Sequence, residues 1–402
     1  MREQYDPTTP ATADLSGHDQ GPASGTSRRS FLKASAALAT GGAAAQMLSS
    51  DAFAQSPGAA DAELARVQGE RRILLKGGVA LTLDRQVGDF AQADVLIEGG
   101  KIREIRPNIE VSRDAVAVVD AANRIVIPGF VDTHSQSYQG LLRNILVNGL
   151  LNPDYNRDIQ NVLTPAYQAA DAYAGMLVAA LGFIDMGTTA IVDISQVSHT
   201  PEHSDACIRA WRLIKDSGGH VSICVPIDMA MGHGMPAIQE ALNHGLRPSL
   251  SSDHGVTIAQ DFFTVMRSTF TLQRLLILQR ARKGEQNLPP LLNCRDVLEF
   301  ATIEGARCAN LEDRIGTLTP GKEADIVVLR ADRLDVWPLN NAPMTVVNMM
   351  NPGHIETVFI GGKVRKWRGN LVGVDVPGVL RLVDEARDGV LRRANYPKNL
   401  LG

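Results

Sequence analysis

Cysteine, basic charge and long apolar runs are all scarce in this sequence. The four cysteines form no CxxC pair, which excludes a zinc knuckle and a disulfide framework and favours small core residues. Lysine plus arginine number 40 against 44 acidic residues, a net charge of -4, so nucleic acid and anionic bilayers are not expected partners. With 44% hydrophobic and 21% charged residues, the chain is typical of a globular protein with one large domain and one smaller.

The first 54 residues resemble a twin-arginine export signal. A basic stretch, SRRSFLK, is followed by an Ala/Gly-rich run, residues 34–47, that is too short and too rich in glycine to span a bilayer. A small-x-small pattern then favours cleavage after Ala54. The residues that carry this pattern are Arg28, Arg29, Phe31, Leu32, Ala52 and Ala54. We expect the twin-arginine translocase as a partner during export and a periplasmic or secreted protein; the alternative is an unstructured tail that happens to contain an arginine pair.

Strand-like alternation of apolar and polar residues occurs near both ends of the chain after a linker, residues 55–70. Residues 71–123 predict strands at Arg72–Leu75, Ala80–Leu83, Asp94–Glu98, Lys101–Ile105 and Ala117–Val119. Residues 314–375 show the same alternation of apolar and polar residues, and a helix and tail are predicted at 376–402. The pattern predicts one β domain built from both ends, with an α/β domain, residues 124–313, inserted in it.

The inserted region alternates predicted strands and helices. After the strand Arg124–Val131 the periodicity predicts helix Ala166–Asp185, strand Thr189–Val192, helix Pro201–Ser217, strand Val221–Val225, helix Pro236–Asn243 and strand Ser249–Ser252. Strands that alternate with helices indicate βα units.

Three segments make a family resemblance specific. ADVLIEGGKIREI, IVIPGFVDTH and VLEFATIEGARCANLEDRIGTLTPGKEADIVVL resemble the amidohydrolase superfamily, in its cytosine deaminase and triazine chlorohydrolase branch. The resemblance implies an α/β fold: a (β/α)8 barrel of the TIM type with its site at the carboxyl ends of the strands, plus a small β-sandwich domain. It also implies a hydrolase that uses a divalent metal, zinc or iron, to activate water against a small heterocyclic substrate.

The resemblance also places site residues. His134 occupies the first position of the family's HxH motif, whose two side chains share one face because strand side chains alternate with a period of two. Gln136 stands at the second position, and an amide oxygen is a poorer zinc ligand than imidazole. Asp253, which closes the strand SLSS, matches the last metal ligand and the catalytic proton acceptor.

The interval between His134 and Asp253 is too short for a full barrel. It holds about 120 residues, whereas seven βα units of roughly 30 residues need about 210. The sequence therefore predicts a shortened barrel that lacks strands three to six, together with two histidine ligands. Candidates for a third ligand are Gln136, His233 and His199, while His254, His203, His220 and His244 are expected to be structural or exposed.

Three hypotheses remain open at this point. The first is a metal-dependent hydrolase acting on a non-peptide C–N bond or a ring substituent of a small cyclic compound. The second is a non-catalytic member or small-ligand binding protein, in which two half barrels close on each other as a homodimer because unpaired strand edges are rarely left exposed. The third is a shortened chain that never folds stably.

Overall fold

The computed structural model describes residues 62–112, 116–194, 222–243 and 247–400. Thirteen strands lie in these ranges: β1 (Arg72–Ala80), β2 (Phe90–Glu98), β3 (Lys101–Arg106), β4 (Ala117–Asp120), β5 (Arg124–Pro128), β6 (Phe130–Ser135), β7 (Thr188–Asp193), β8 (Ser222–Ile223), β9 (Ser249–Leu250), β10 (Ile326–Arg330), β11 (Ile355–Ile360), β12 (Lys363–Trp367) and β13 (Asn370–Leu371).

The same ranges contain nine α-helices and five shorter or wider helical segments. The α-helices are α1 (Ala62–Gly69), α2 (Ala169–Asp185), α3 (Val225–Met231), α4 (Ile238–Asn243), α5 (Phe262–Arg282), α6 (Cys294–Phe300), α7 (Ile303–Cys308), α8 (Ala342–Met344) and α9 (Val376–Arg393). The others are 3-10 helices at Ser137–Leu142, Thr164–Ala166 and Pro352–His354 and π-helical segments at Leu151–Leu163 and Thr345–Met349. Of the helices described, none is long and apolar enough to cross a membrane.

Strands from both ends of the described chain lie in one nine-stranded sheet. Its order is β13-β12-β11-β10-β5-β1-β2-β3, and β4 pairs with β1 beside this path. The N-terminal and C-terminal parts join where β10 pairs antiparallel with β5, with Val328 opposite Val126. Both valines lie in one buried apolar cluster with Ile97 and Phe359. The hydrophobic effect therefore holds the two distant parts of the sequence together in one core.

The two ends of this sheet approach each other at a pair of glycine turns. Gly100, between β2 and β3, has a φ of +83°, and Gly362, between β11 and β12, has a φ of +72°. A Cβ atom on Gly362 would lie 2.6 Å from the Cα atom of Gly100. The Ile102 amide donates to the Lys322 carbonyl at 2.9 Å in the same region. Glycine is required here both for the backbone conformation and for the close approach.

Four short parallel strands form the part of the fold that carries the candidate site. β6 pairs with β7, and β8 pairs with β9. A bridge between Ser135 and Asp253 places the ends of β6 and β9 side by side. The Thr133 hydroxyl donates to the Leu250 carbonyl at 3.0 Å and lies 2.7 Å from the Ser222 hydroxyl. The resulting order is β7-β6-β9-β8.

Several predicted elements have different bounds in the structure. The helix predicted from Ala166 begins at Ala169, the strand predicted at Ser249–Ser252 ends at Leu250, and the strand predicted from Asp94 begins at Phe90. The two strands predicted at Arg72–Leu75 and Ala80–Leu83 are replaced by the single strand β1, Arg72–Ala80, and residues 81–83 lie outside any strand. The pairing of β1 with β2 shifts in register at Gly78, so the strand continues through the glycines. The strand predicted at Val221–Val225 stops at Ile223, and a helix begins at Val225 because Pro226 suits the first helical turn. The helix predicted from Pro236 begins at Ile238. The predicted helix Pro201–Ser217 lies outside the described residues.

Candidate functional site

His134 and Asp253 meet at the carboxyl ends of neighbouring strands. The Asp253 amide donates to the His134 carbonyl at 2.9 Å, and the Gln136 amide donates to the Asp253 carbonyl at 2.8 Å. Asp253 has a φ of +55°, a left-handed conformation that is rare for aspartate. The two backbone hydrogen bonds hold it there, so the fold imposes the position of this carboxylate.

The Asp253 carboxylate is surrounded by donors. Its Oδ1 atom accepts a hydrogen bond from Gln136 Nε2 at 2.9 Å and lies 3.4 Å from His134 Nε2. Burial pushes the pKa of Asp253 upward, but His134, His254 and Gln136 outweigh burial and hold that pKa below its usual range. The hydrogen bond to Asp253 raises the pKa of His134. Asp253 is therefore a buried carboxylate that stays ionised, next to a half-exposed imidazole.

A buried polar network holds the amide oxygen of the Gln136 side chain. Gln136 Oε1 accepts hydrogen bonds from the Tyr155 hydroxyl at 2.7 Å and from Gln139 Nε2 at 2.8 Å. Gln139 Nε2 also lies 2.9 Å from the Tyr138 hydroxyl and 2.7 Å from the Tyr155 hydroxyl. On its other side, Gln139 Oε1 is buried and has no hydrogen-bond partner among the described residues.

Two further carboxylates near His134 were not predicted from the sequence. Asp132 is fully buried and accepts from the Ser252 amide at 3.1 Å and from the Ser252 hydroxyl, and burial raises its pKa to about 7. Asp193 accepts from the Ser137 amide at 3.1 Å, and burial raises its pKa to about 6. The period of two on a strand, which puts Asp132 on the face of His134, was a usable signal for the first.

The remaining histidines do not join His134 and Asp253 in one cluster of ligands. His254 is buried, stacks on Tyr155 with ring centroids 5.0 Å apart, and has its pKa lowered by burial. His233 lies beyond α3, where its Nδ1 is 3.5 Å from Asp228 Oδ1. His199 lies outside the described residues. Within the described ranges, no group of three or more His, Cys, Asp or Glu side chains is placed to hold a metal.

Of His134, Gln136 and Asp253, only His134 and Asp253 have the spacing of two ligands of one cation. Zinc lies about 2.0–2.2 Å from nitrogen and oxygen ligands, so two ligand atoms in tetrahedral geometry are separated by roughly 3.3–3.6 Å. His134 Nε2 and Asp253 Oδ1 are 3.4 Å apart, whereas Gln136 directs its amino group, a donor and not a ligand, at the same Asp253 oxygen from 2.9 Å. A set made of His134, Asp253 and the amide oxygen of Gln136 would contain one nitrogen and two oxygens and would hold zinc less tightly than a nitrogen-rich set.

A separate cavity of about 420 Å³ lies between the segment 141–158 and the C-terminal tail. Its lining includes Arg157 and Arg387, each of which is paired with nearby aspartates. His134, Gln136 and Asp253 do not line it. The cavity is therefore distinct from the candidate site.

Parallel strands that end in a facing imidazole and carboxylate place a polar pair at the carboxyl edge of an α/β fold. The model of the amidohydrolase family matches residues 199–365. A 5'-deoxyadenosine deaminase of Methanosarcina mazei is 34% identical over 445 aligned positions, which cover 80% of this chain and 99% of the relative. A 5-methylthioadenosine/S-adenosylhomocysteine deaminase of Caldicellulosiruptor saccharolyticus is 21% identical, and the alignment covers 77% of this chain and 96% of the relative.

Solved structures share the fold at low identity. An adenosine deaminase from Xanthomonas campestris with bound zinc superposes with a TM-score of 0.67 at 15% identity, over 80% of this chain and 98% of that one. An atrazine chlorohydrolase from Arthrobacter aurescens, complexed with zinc, gives a TM-score of 0.64 at 14% identity, over 78% and 100% of the two chains. The chain belongs to the amidohydrolase family. The predicted hydrolase class is confirmed at the level of the family, and a non-catalytic protein is not favoured.

Proposed function

We propose that the protein removes an amino group from a small purine-like heterocycle by hydrolysis. The placement of Asp253 beside His134 at the carboxyl ends of β9 and β6 carries this proposal. The names of the relatives support the substrate class, because a 5'-deoxyadenosine deaminase and a 5-methylthioadenosine/S-adenosylhomocysteine deaminase match over nearly their full lengths.

Asp253 is the proton acceptor in this reaction. Water adds to the ring carbon that bears the amino group, and its proton moves to the Asp253 carboxylate. The same proton then passes to the departing nitrogen as the C–N bond breaks and ammonia leaves. The second proton of the water ends on the adjacent ring nitrogen, so that the carbon that carried the amino group becomes a ring carbonyl. The lowered pKa of Asp253 keeps it ionised and ready to accept a proton at neutral pH. His134, whose side chain is 42% exposed, lies where a substrate can reach the pair.

A divalent metal, zinc or iron, is part of the proposal because similar structures contain zinc. When bound, such an ion lowers the pKa of its water ligand toward neutrality. His134 and Asp253 are the described side chains with the spacing to hold it; Gln136, His199 and His233 are the other candidates from the sequence. His233 pairs instead with Asp228.

We also propose a barrel that lacks its middle strands, beside a two-layered β domain. The span aligned with the Methanosarcina mazei relative is 445 positions, longer than the 402 residues of this chain, so the relative has segments without a counterpart here. The meeting of the two glycine turns supports a sheet that curls into two layers. An experimental structure with eight barrel strands would contradict the shortened barrel.

Export by the twin-arginine route remains a proposal that rests on the sequence pattern of residues 1–54, which lie outside the described residues. N-terminal sequencing of protein recovered from the periplasm or medium should then begin at Gln55. Recovery only of an unprocessed chain from the cytoplasm would contradict this.

Ammonia release tests the proposed activity. Purified protein would be supplied with adenosine, 5'-deoxyadenosine or 5'-methylthioadenosine, with and without added zinc or iron. We expect ammonia and the corresponding oxo-purine, and a loss of about 10²–10⁴-fold in kcat for Asp253→Asn, the range for removing a general base. Asp384→Asn, on the exposed face of α9, is the matched control and should retain activity. Equal rates for Asp253→Asn and the unaltered protein would overturn the assignment.

A further inference from the structure

We infer that Gln136 is a positioning residue that orients the Asp253 carboxylate for proton transfer, and that the Tyr155 hydroxyl fixes the orientation of Gln136. Gln136 acts through Asp253 and not by contact with the substrate. The inference rests on the proposed function, because Asp253 is the proton acceptor of that reaction, and it requires no bound metal.

The two oxygen atoms of the Asp253 carboxylate have different surroundings. Oδ1 accepts a hydrogen bond from Gln136 Nε2 at 2.9 Å and lies 3.4 Å from His134 Nε2. Oδ2 accepts no hydrogen bond from the described residues, and His254 Nε2 is 3.9 Å from it. A hydrogen-bond donor reduces the basicity of the oxygen that it contacts. The proton is therefore accepted at Oδ2, while Gln136 holds the carboxylate by Oδ1.

The charge of Asp253 determines which end of the Gln136 amide faces it. An ionised carboxylate can only accept hydrogen bonds, so the amino group of Gln136 points at Oδ1. The amide oxygen of Gln136 then faces the opposite way, where it accepts from the Tyr155 hydroxyl at 2.7 Å and from Gln139 Nε2 at 2.8 Å. The amide is therefore held by hydrogen bonds at both ends.

Gln139 favours the same orientation of Gln136. Its amino group faces three oxygens, those of Gln136, Tyr138 and Tyr155, whereas its own Oε1 is buried without a hydrogen-bond partner among the described residues. Turned over, Gln139 would bury its amino group at the position of Oε1 and would direct its oxygen at the oxygen of Gln136. Both changes are unfavourable, so the present arrangement of the two amides is the one that the network stabilises.

Tyr155 connects this arrangement to the packed interior. Its ring stacks on His254 with centroids 5.0 Å apart, and it lies in a buried apolar cluster with Leu146 and Ile159. These contacts hold the ring in place without the hydroxyl. Loss of the hydroxyl alone should therefore release Gln136 while leaving the packing intact, which makes Tyr155→Phe a specific test.

The experiment measures kcat and KM for ammonia release from 5'-deoxyadenosine by the full chain and its variants. Gln136→Met keeps the length of the side chain but cannot donate to Asp253, and we expect kcat to fall roughly 10–100-fold, the range for a hydrogen bond to a charged group. Tyr155→Phe removes one neutral hydrogen bond and should lower kcat about 3–10-fold. KM should change less than about 2-fold in both, because the proton is transferred in the transition state and not on binding.

Tyr167→Phe is the matched control. Tyr167 is buried to the same degree as Tyr155, but its hydroxyl donates to the Tyr138 carbonyl at 3.1 Å and not to Gln136. Its kcat should stay within about 2-fold of that of the unaltered protein. Thermal melting of each variant establishes that it is folded.

A second measurement does not depend on activity. Solvent exchange of the Gln136 amino protons is followed by NMR in protein with labelled glutamine side chains, and Gln136→Met identifies the signal by its loss. We expect exchange to be about 3–10-fold faster in Tyr155→Phe and unchanged in Tyr167→Phe.

Each outcome decides the inference. A kcat of Gln136→Met within about 2-fold of the unaltered protein, equal losses in Tyr155→Phe and Tyr167→Phe, or exchange that Tyr155→Phe does not accelerate would overturn it. If the unaltered protein releases no ammonia, the proposed function fails, and the exchange rates alone decide whether Tyr155 and Asp253 hold Gln136.

Discussion

Buried carboxylates in this protein are held in two opposite electrostatic states. Asp253 has a lowered pKa because His134, His254 and Gln136 outweigh the effect of its burial. Burial dominates at Asp132 and Asp325 in spite of the hydrogen bonds that they accept, and it raises their pKa values to about 7 and about 6. The ionised form is therefore favoured at Asp253, which lies beside two histidines, and disfavoured at the other two carboxylates.

Asp325 allows a test of this contrast away from the site. Its folded pKa of about 6 exceeds the ordinary 3.8, so its contribution to stability is fully present below pH 3.8 and is lost as the pH rises through 6. Asp325→Asn keeps the acceptor for the Gly361 amide, 2.7 Å away, without the charge. We expect the free energy of unfolding of the variant, relative to the unaltered protein, to rise by about 3 kcal/mol between pH 3 and pH 8.

Urea unfolding at several pH values checks this. Asp384→Asn, on the exposed surface, is the control and should leave the pH dependence unchanged. A constant difference between Asp325→Asn and the unaltered protein across the range would contradict the interpretation.

Sequence reasoning located the site residues that match the family's motifs and missed several that do not, including Asp132 in β6 and Asp193 in β7. His134 and Asp253 were predicted because each closes an apolar strand, and the structure brings them together. Gln139 and Tyr155 were missed because they lie in a 3-10 helix and a π-helical segment, whose side-chain directions follow neither the period of a strand nor that of an α-helix. Contacts of this kind depend on tertiary packing, which a single sequence does not show.

At the scale of elements, the two glycine turns connect the halves of the large sheet. Gly362→Ala introduces a Cβ atom 2.6 Å from the backbone of Gly100, in addition to the strain of a positive φ. Gly369→Ala is a matched control, since Gly369 also has a positive φ, +84°, but nothing lies within 4 Å of its new Cβ atom. We expect the free energy of unfolding of both variants to fall by roughly 1–2 kcal/mol, because alanine is strained at a positive φ. The clash with Gly100 should lower that of Gly362→Ala by about 1–3 kcal/mol more.

The measurement is the free energy of unfolding from denaturant titration. Equal losses for the two variants would show that the turns do not meet in solution. A cooperative transition of the unaltered chain would also exclude the hypothesis that the shortened chain never folds stably.

Element types were predicted better than element boundaries. The alternating pattern identified β3, which has one buried face, and the strands β2 and β7 were predicted as well although each contains a continuous run of buried residues. The end of β8 was misplaced because the residues on either side of Cys224 are apolar, and a short apolar run fits a buried strand or a helix equally. Pro226, which suits the first turn of a helix, was the local signal for the change from strand to helix.

At the scale of the whole molecule, the proposed shortened barrel predicts strand edges that a second copy could cover. Among the described residues, β7 and β8 are the outer strands of the order β7-β6-β9-β8. Exposed apolar side chains follow both of them: Ile194 after β7, and Met229 and Met235 after β8. Because exposed apolar groups next to strand edges favour association, we predict a homodimer in which these two edges are covered.

Size-exclusion chromatography with light scattering should give twice the mass of one chain. Met235→Glu, placed at the predicted interface, should shift the protein toward monomer, since burying an unpaired carboxylate is costly. Leu334→Glu is the matched control, because Leu334 is 100% exposed on the segment after β10 and should leave the dimer intact. A monodisperse monomer, or a dimer that Met235→Glu does not weaken, would mean that these strand edges are covered within one chain. The shortened barrel would then have to be stable by itself.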